Sequence, residues 1–544
     1  MLAFAFALAF APHAFASDHF VDSPYRETVP DPGPCDVVVT EANAATTLAQ
    51  LDDPDLRVFC VDPGDYRDAG NLLLLASGSE ASRRFLRFHA TPGDLRTAIQ
   101  RPTRAIFEHL RIRGSWWVIQ GLTIQPRNPA TARFLYVLGG DHNLLHGNLV
   151  DGSEQANTRS NEGIVLGGFN GDAATHNTVQ ANVVRNGNAS RLDVDYHGIL
   201  VQAAAQPGED NDFNEVLDNE VYDWGDGISV GGYTGDCSEP GVQHATVIDG
   251  NDVYLTPDKW IDCDTGLPDP AGDCACAENA VELKADPGPD PALWTRVTNN
   301  RVWGFRPTSA VGHCGGVGGS GPAISGGSLC VGHVLVARNA VLDSTMGIQT
   351  AGSNWIIVGN LFHEIRASNG KVYNTAAITT THVSSAVWSQ FNTIVGVDAA
   401  YEAQADDADA RCNAVVETQY PYGGPLGSNH VMQYNYLYDA ESSHFDDPTN
   451  QSFPTAAESG NEVLCFWRRR WTGPERVCIL FGATTAASPH WAAVGSCNPY
   501  LTVPFGLDPM TWITVPEPEV ARLRGASAAL LALLAAVVRH RRAA

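Results

Sequence analysis

Short runs of β-branched and other apolar residues recur along the chain, each alternating with polar residues at a period of two. Two phrases carry the repetition. The first is a β-rich half-line closing on asparagine, as in HNLLHGNLV, HNTVQANVV and FNEVLDNEV, and it returns at Asn148, Asn182, Asn219, Asn251, Asn300, Asn339, Asn360 and Asn435. The second alternates with it: NEGIVLGG, YHGILVQA, GDGISVGG, ENAVELKA, GPAISGGS and MGIQTAGS, beginning at Asn161, Tyr196, Gly225, Glu278, Gly321 and Met346. Every unit is a pair of short strands without helical periodicity. A lone unit cannot bury its inner face, whereas stacked units can, with strands about 4.8 Å apart in a parallel coil. The recurring asparagine suits a tight turn between sheets, where it tolerates the left-handed conformation and its amide can bond the equivalent amide one coil above. A propeller or sandwich does not accommodate the irregular unit lengths, because coil loops accept insertions and blades do not.

These phrases resemble the asparagine ladders of the right-handed parallel β-helices of the pectate-lyase-like superfamily, over roughly residues 85–445. The resemblance implies an all-β fold of about nine to ten coils. Residues 17–85 would form an N-terminal cap and the entry to the helix, 86–445 the helix, and 446–513 a disulfide-tied C-terminal cap or appendage over its open edge.

Strand alternation predicts which residues of the second phrase face outward. Counting from its Gly or Ala, the next residue (Ile164, Ile199, Ile228, Val281, Ile324, Ile348) forms an inward apolar stack. The outward rows then hold Glu162, His197, Asp226 and Asn279; Val165, Leu200, Ser229, Glu282, Ser325 and Gln349; and Gly167, Gln202, Gly231, Lys284 and Gly327. Polar and acidic groups with one lysine thus converge beside the longest insertion, residues 252–277, which carries Asp262 and Asp264.

The chain has three lysines against 31 arginines, so a lysine at an outward site is not its default basic choice. Arginine stays protonated, while a lysine can be desolvated into a base. Lyase chemistry on uronic acids needs such a base: it takes the C5 proton alpha to a carboxylate, a cation stabilises the developing enolate, and the 4-linked sugar leaves. Glu278-Asn-Ala-Val-Glu-Leu-Lys284 is similar in spacing to the strand of calcium-dependent pectate lyases that use a lysine base, and loosely to that of chondroitinase-B-like and alginate lyases. The resemblance implies Lys284 as catalytic base, with Asp226, Glu278 and Glu282 as contacts for Ca2+ or substrate; the outward rows add His197, Gln202, Ser229 and Asn279 as candidate substrate contacts, and the acidic run of the insertion adds Asp262 and Asp264 as candidate Ca2+ ligands. One departure stands out: the following coil, Gly321–Gly327, offers no outward arginine where chondroitinase-like enzymes place a second catalytic group, and Arg296, Arg301 and Arg306 fall on other faces or in loops.

Charge narrows the partners. With 34 Lys plus Arg against 61 Asp plus Glu, the net charge is −27. Nucleic acid is excluded as an expected partner, since phosphate binding rests on clustered Lys and Arg; an acidic polysaccharide requires bound cations or a local basic groove. Residues 1–16, ending in Ala14-Phe15-Ala16, read as a signal peptide without a basic n-region. Residues 514–544 hold Pro-Glu-Pro, an apolar run over 525–538 and Arg539, Arg541 and Arg542, and resemble the PEP-CTERM sorting tail. That resemblance implies export to the surface of a Gram-negative bacterium, a membrane anchor through the tail before processing, and an exosortase-like processing partner. Twelve cysteines in an exported chain predict disulfides, with Cys35 and Cys60, Cys314 and Cys330, and Cys465 and Cys478 as neighbouring candidates. Two functions are consistent with this pattern: a polysaccharide-acting enzyme, specifically a uronate lyase, or a non-catalytic β-helix that displays a glycan- or matrix-binding surface.

Overall fold

The computed structural model describes Ser23 and residues 25–89, 103–155, 161–167, 173–187, 197–202, 211–231, 243–307, 321–327, 331–365 and most of 376–418, with the backbone alone of the strands between 420 and 481. Residues 1–16 and 514–544, together with Cys314, Cys330 and Asn435, lie outside the described residues.

Three long sheets, of 14, 14 and 12 strands, make up the body, and every strand pair within them is parallel. The chain visits them in rotation. Thr178–Gln180 lies in the first sheet, Val183–Arg185 in the second, His197–Gln202 in the third, and Glu215–Leu217 returns to the first beside Thr178–Gln180. The asparagine phrase therefore closes the first sheet and opens the second, while the other phrase forms the third. This is a right-handed parallel β-helix. Its stack is longer than nine or ten coils, because Val37–Val39, Val58–Val61 and Arg84–Phe88 already pair in parallel upstream of any asparagine phrase. These strands lie in the segment expected as cap and entry to the helix, and the α-helix Ala44–Leu48 is the one α-helix among the described residues.

The asparagines form the expected ladder. Asn148, Asn182, Asn219, Asn251, Asn300, Asn339 and Asn360 each donate from Nδ2 to Oδ1 of the next at 2.9–3.0 Å, and each backbone N–H bonds the same oxygen. The ladder continues through Asn392 to Asn413. One detail differs from expectation: the left-handed residue is the one before the asparagine, namely Gly147, Ala181, Asp218, Gly250 and Asn299. That turn residue takes the backbone strain, which leaves the asparagine side chain free to saturate the corner. Asn251→Ala removes the acceptor for two buried donors of Asn219. The variant is expected to lose about 3 kcal/mol, read as a lower urea midpoint at unchanged slope.

Inside, Ile164, Ile199, Ile228, Val281, Ile324, Ile348 and Ile378 stack along the third sheet, each at most 1% exposed. Cys35 and Cys60 are bonded, as are Cys263 and Cys274, the latter closing the long insertion. Cys465 stands opposite Cys478 in the antiparallel pair Glu462–Arg470 and Gly473–Phe481. Among the described residues no helix is long and apolar enough to cross a membrane.

Candidate functional site

The third sheet places the outward rows in the register that the repeats imply. Glu162, His197, Asp226 and Asn279 are successive partners, as are Val165, Leu200, Ser229, Glu282, Ser325 and Gln349, and Gln202, Gly231 and Lys284. Glycine is needed just after the first row because it and the following aliphatic residue both crowd the core. A Cβ at Gly163, Gly198 or Gly227 would come within 2.7, 2.5 or 2.3 Å of Val184, Val221 or Val253. This bend turns His197 and Asp226 outward while Ile199 and Ile228 turn in.

The convergent groups touch one another. Lys284 Nζ lies 2.7 Å from Glu282 Oε2, and Ser229 Oγ donates to the same oxygen at 3.3 Å. One coil below, Asp226 Oδ1 accepts from the Asn279 backbone N–H at 3.1 Å and from its side-chain amide at 3.3 Å, and Asp226 Oδ2 is 3.5 Å from His197 Nε2. Donor atoms of His197, Asp226 and Glu282 all lie within 4.8 Å of one another. Gly327 makes room for the pair: a Cβ there would fall 2.5 Å from Glu282 Oε1 and 3.0 Å from Lys284 Cε.

The centre is buried, with Asp226, Glu282, Asn279, Gln202 and Ser229 at 3% exposure or less. Burial, together with the negative charges of Glu282 and Glu278, raises the Asp226 carboxyl far above its ordinary range. Burial and the Lys284 charge hold the His197 imidazole down at about 4, so it is neutral near pH 7. Burial also pulls Lys284 down, but Glu282, Asp226 and Glu278 outweigh it, and the ammonium is held more tightly than usual. The charged form of Lys284 is therefore favoured at this centre. His197 Nδ1, Gln202 Oε1 and Asn279 Oδ1 are buried and have no hydrogen-bond partner among the described residues. Such orphan atoms at a charged centre mark where a ligand's polar groups could be met.

Some expected members stand apart. Glu278 is half-buried at the start of its strand, its backbone N–H bonded to the Gly225 carbonyl, and it acts on the centre through its charge. Asp262 turns its carboxylate onto its own loop, accepting from the Asp264 and Thr265 N–H groups at 3.0 and 2.7 Å, and Asp264 is exposed. Neither joins a three-donor group among the described residues. Arg301 is bound to Asp252 in the second sheet, Arg296 bonds Tyr25 from the first, and Arg306 pairs with Asp343 and covers the Trp260 ring, so none of the three sits in the rows of the third sheet. Repeat alignment missed the coil before NEGIVLGG, where Arg133 bonds Glu162 at 2.5 Å and Tyr136, Leu138, Val165 and Leu200 form an outer apolar cluster. The strand RFLYV lacks the glycine of the phrase, and no signal in it marks the register.

No protein-family model matches the chain, and no curated protein does. Solved structures do resemble it. A PL6 family alginate lyase, AlyGC, superposes with a TM-score of 0.52 at 13% identity, covering 83% of this chain and 57% of that one. The likeness is one of fold. The chain spans little more than half of that enzyme's length. A mannuronic acid specific polysaccharide family 6 lyase from human gut microbiota gives 0.47 at 10% identity, covering 77% and 91% of the two chains. The periplasmic alginate epimerase AlgG gives 0.37 at 11%, covering 73% and 83%.

The donors suit a divalent cation in part. Asp226, Glu282 and the orphan Asn279 Oδ1 are the hard oxygens that Ca2+ takes. The His197 nitrogen in the same group is a softer donor, better matched to a transition metal.

Proposed function

We infer that this is an exported β-helix protein that acts on a uronate-containing polysaccharide by β-elimination, at the centre formed by His197, Asp226, Asn279, Glu282 and Lys284. The observation that carries the reading is the Lys284 ammonium set in a buried acidic centre on the outward rows of a parallel sheet. In this reading Lys284 faces the C5 hydrogen, while the orphan Gln202 and Asn279 oxygens accept sugar hydroxyls and His197 Nδ1 meets a further polar group of the sugar. Ca2+ held by Asp226 and Glu282 would stabilise the enolate and offset the negative charge that keeps the proton on Lys284. Without that offset Lys284 stays protonated, and turnover falls.

The raised affinity of Lys284 for its proton sets the pH dependence. A base must be unprotonated to act, so turnover is expected to rise with pH through the alkaline range and to be weak below neutrality. Incubation with a panel of polyuronates, with Ca2+ or with a chelator, tests this through the ultraviolet absorbance of the unsaturated product. Product that needs the cation and grows with pH supports the reading; a flat pH profile contradicts Lys284 as base.

A second reading, glycan binding without catalysis, draws on the same ion pair, since a lysine that keeps its proton against Glu282 is also a stable structural contact. Binding of a polyuronate with no product at any pH would favour it. The signal-like and sorting-like ends favour surface display under either reading.

A further inference from the structure

The corner that leads into the first sheet carries a ladder of rings. The backbone N–H groups of Trp116, His142, His176, Phe213 and Ala245 bond in turn to the carbonyls of Asp141, Thr175, Asp212, His244 and Leu293. The repeated bond puts Trp116, His142, His176, Phe213, Ala245 and Trp294 in one column, one residue per coil. All but Trp294 are left-handed, with φ between 52° and 64°. Bulky residues rarely accept that conformation, and glycine or asparagine would adopt it at lower cost. Trp116, His142, His176 and Phe213 stack face to face, with centroids 4.1, 4.7 and 4.8 Å apart.

Among the described residues the stack stops at Ala245. Phe213 is 40% exposed, and the next ring along the column, Trp294, comes two coils on and turns its edge to His333. Two coil rises make roughly 9.6 Å, so once the thickness of the flanking groups is removed the space suits one ring. A polar pair borders it: His244 Nδ1 lies 2.8 Å from Asp212 Oδ2, and the His244 N–H donates to Asp212 Oδ1 at 2.7 Å. With Nδ1–H given to the carboxylate, Nε2 is the acceptor side of the imidazole. Phe213 opens the coil that ends in Asp226–Gly231 and Ala245 the coil that ends in Asn279–Lys284, so the gap opens at the axial level of the charged centre.

We propose that the Ala245 gap is a secondary glycan subsite, in which one pyranose ring stacks its C–H face on Phe213 and gives a hydroxyl hydrogen to His244 Nε2. The site rests on the reading that the chain handles polysaccharide, but not on catalysis: it binds a sugar ring whether or not Lys284 reacts. A sugar fits better than a second aromatic ligand because the bordering pair offers acceptors for hydroxyls.

Titration calorimetry with a tetrasaccharide of 1,4-linked uronates tests it, in a Lys284→Ala background so that the probe is not consumed. Phe213→Ala is expected to weaken binding roughly two- to tenfold, the worth of one ring contact. Ala245→Phe, which continues the ladder into the gap, is expected to do the same while leaving the far-ultraviolet circular dichroism unchanged. His244→Gln should weaken binding without moving the thermal midpoint. Binding unaltered by Ala245→Phe overturns the proposal, as does absence of binding to the background protein. Binding that depends on Phe213 in a chain that releases no product from any polyuronate leaves the subsite standing and removes the lyase.

Discussion

Lys284→Arg is expected to abolish release of unsaturated product from a polyuronate while glycan binding and folding stay almost unchanged. Arginine keeps the charge and most of the length, so the contact with Glu282 and the attraction to a substrate carboxylate persist. What disappears is the capacity to give up a proton and accept another, because a guanidinium stays protonated across the accessible pH range. A salt bridge with a purely structural role would tolerate the swap, since an ion pair of either cation with Glu282 differs little in strength. Gly327 leaves limited room beside the pair, so the thermal midpoint of the variant belongs in the same experiment. Product formation at the wild-type rate would remove Lys284 as the base.

Ile228→Asp is expected to prevent folding. Ile228 has no exposure and sits between Ile199 and Val281 in the inner stack. An aspartate there would be an unpaired buried charge, worth several kcal/mol and so comparable with the whole stability of a domain. Ile228→Val keeps the apolar contact and should cost only about 1 kcal/mol. Circular dichroism and a thermal scan separate the two. A cooperative transition for Ile228→Asp at the wild-type midpoint would mean that the residue is not in the core.

The register of the third sheet was legible because each second phrase carries a small residue followed by Ile or Val, and the core demands both at one height in the coil. That alone aligned His197 with Asp226 and Asn279, and Ser229 with Glu282. The turn asparagines were equally readable, since a buried amide that satisfies its neighbour leaves a fixed residue type at a variable spacing. Less legible were features set by what lies across from a residue. Arg133 and Tyr136 carry no phrase, and only the pairing of Arg133–Val137 with Glu162–Leu166 brings Arg133 to Glu162. The second asparagine series, Asn143, Asn177 and Asn214, is also bonded coil to coil, yet it stands at the start of the half-line where Phe-Asn and His-Asn pairs obscured it. The proton affinity of Lys284 was not legible from its position, because it is set by the balance of burial, which opposes the ammonium, and three carboxylates, one at 2.7 Å, which favour it. Asp262 stood out by composition as a candidate cation ligand, and its carboxylate accepts from the backbone of its own turn, a contact that composition does not show.

The most direct test of β-elimination is proton magnetic resonance of a polyuronate digested by the protein in deuterated buffer. Elimination predicts a vinylic proton at C4 of a new non-reducing end, with the C5 hydrogen lost. An intact chain that gains deuterium at C5, or shortened chains with saturated ends only, would contradict it and assign the centre to epimerisation or hydrolysis instead.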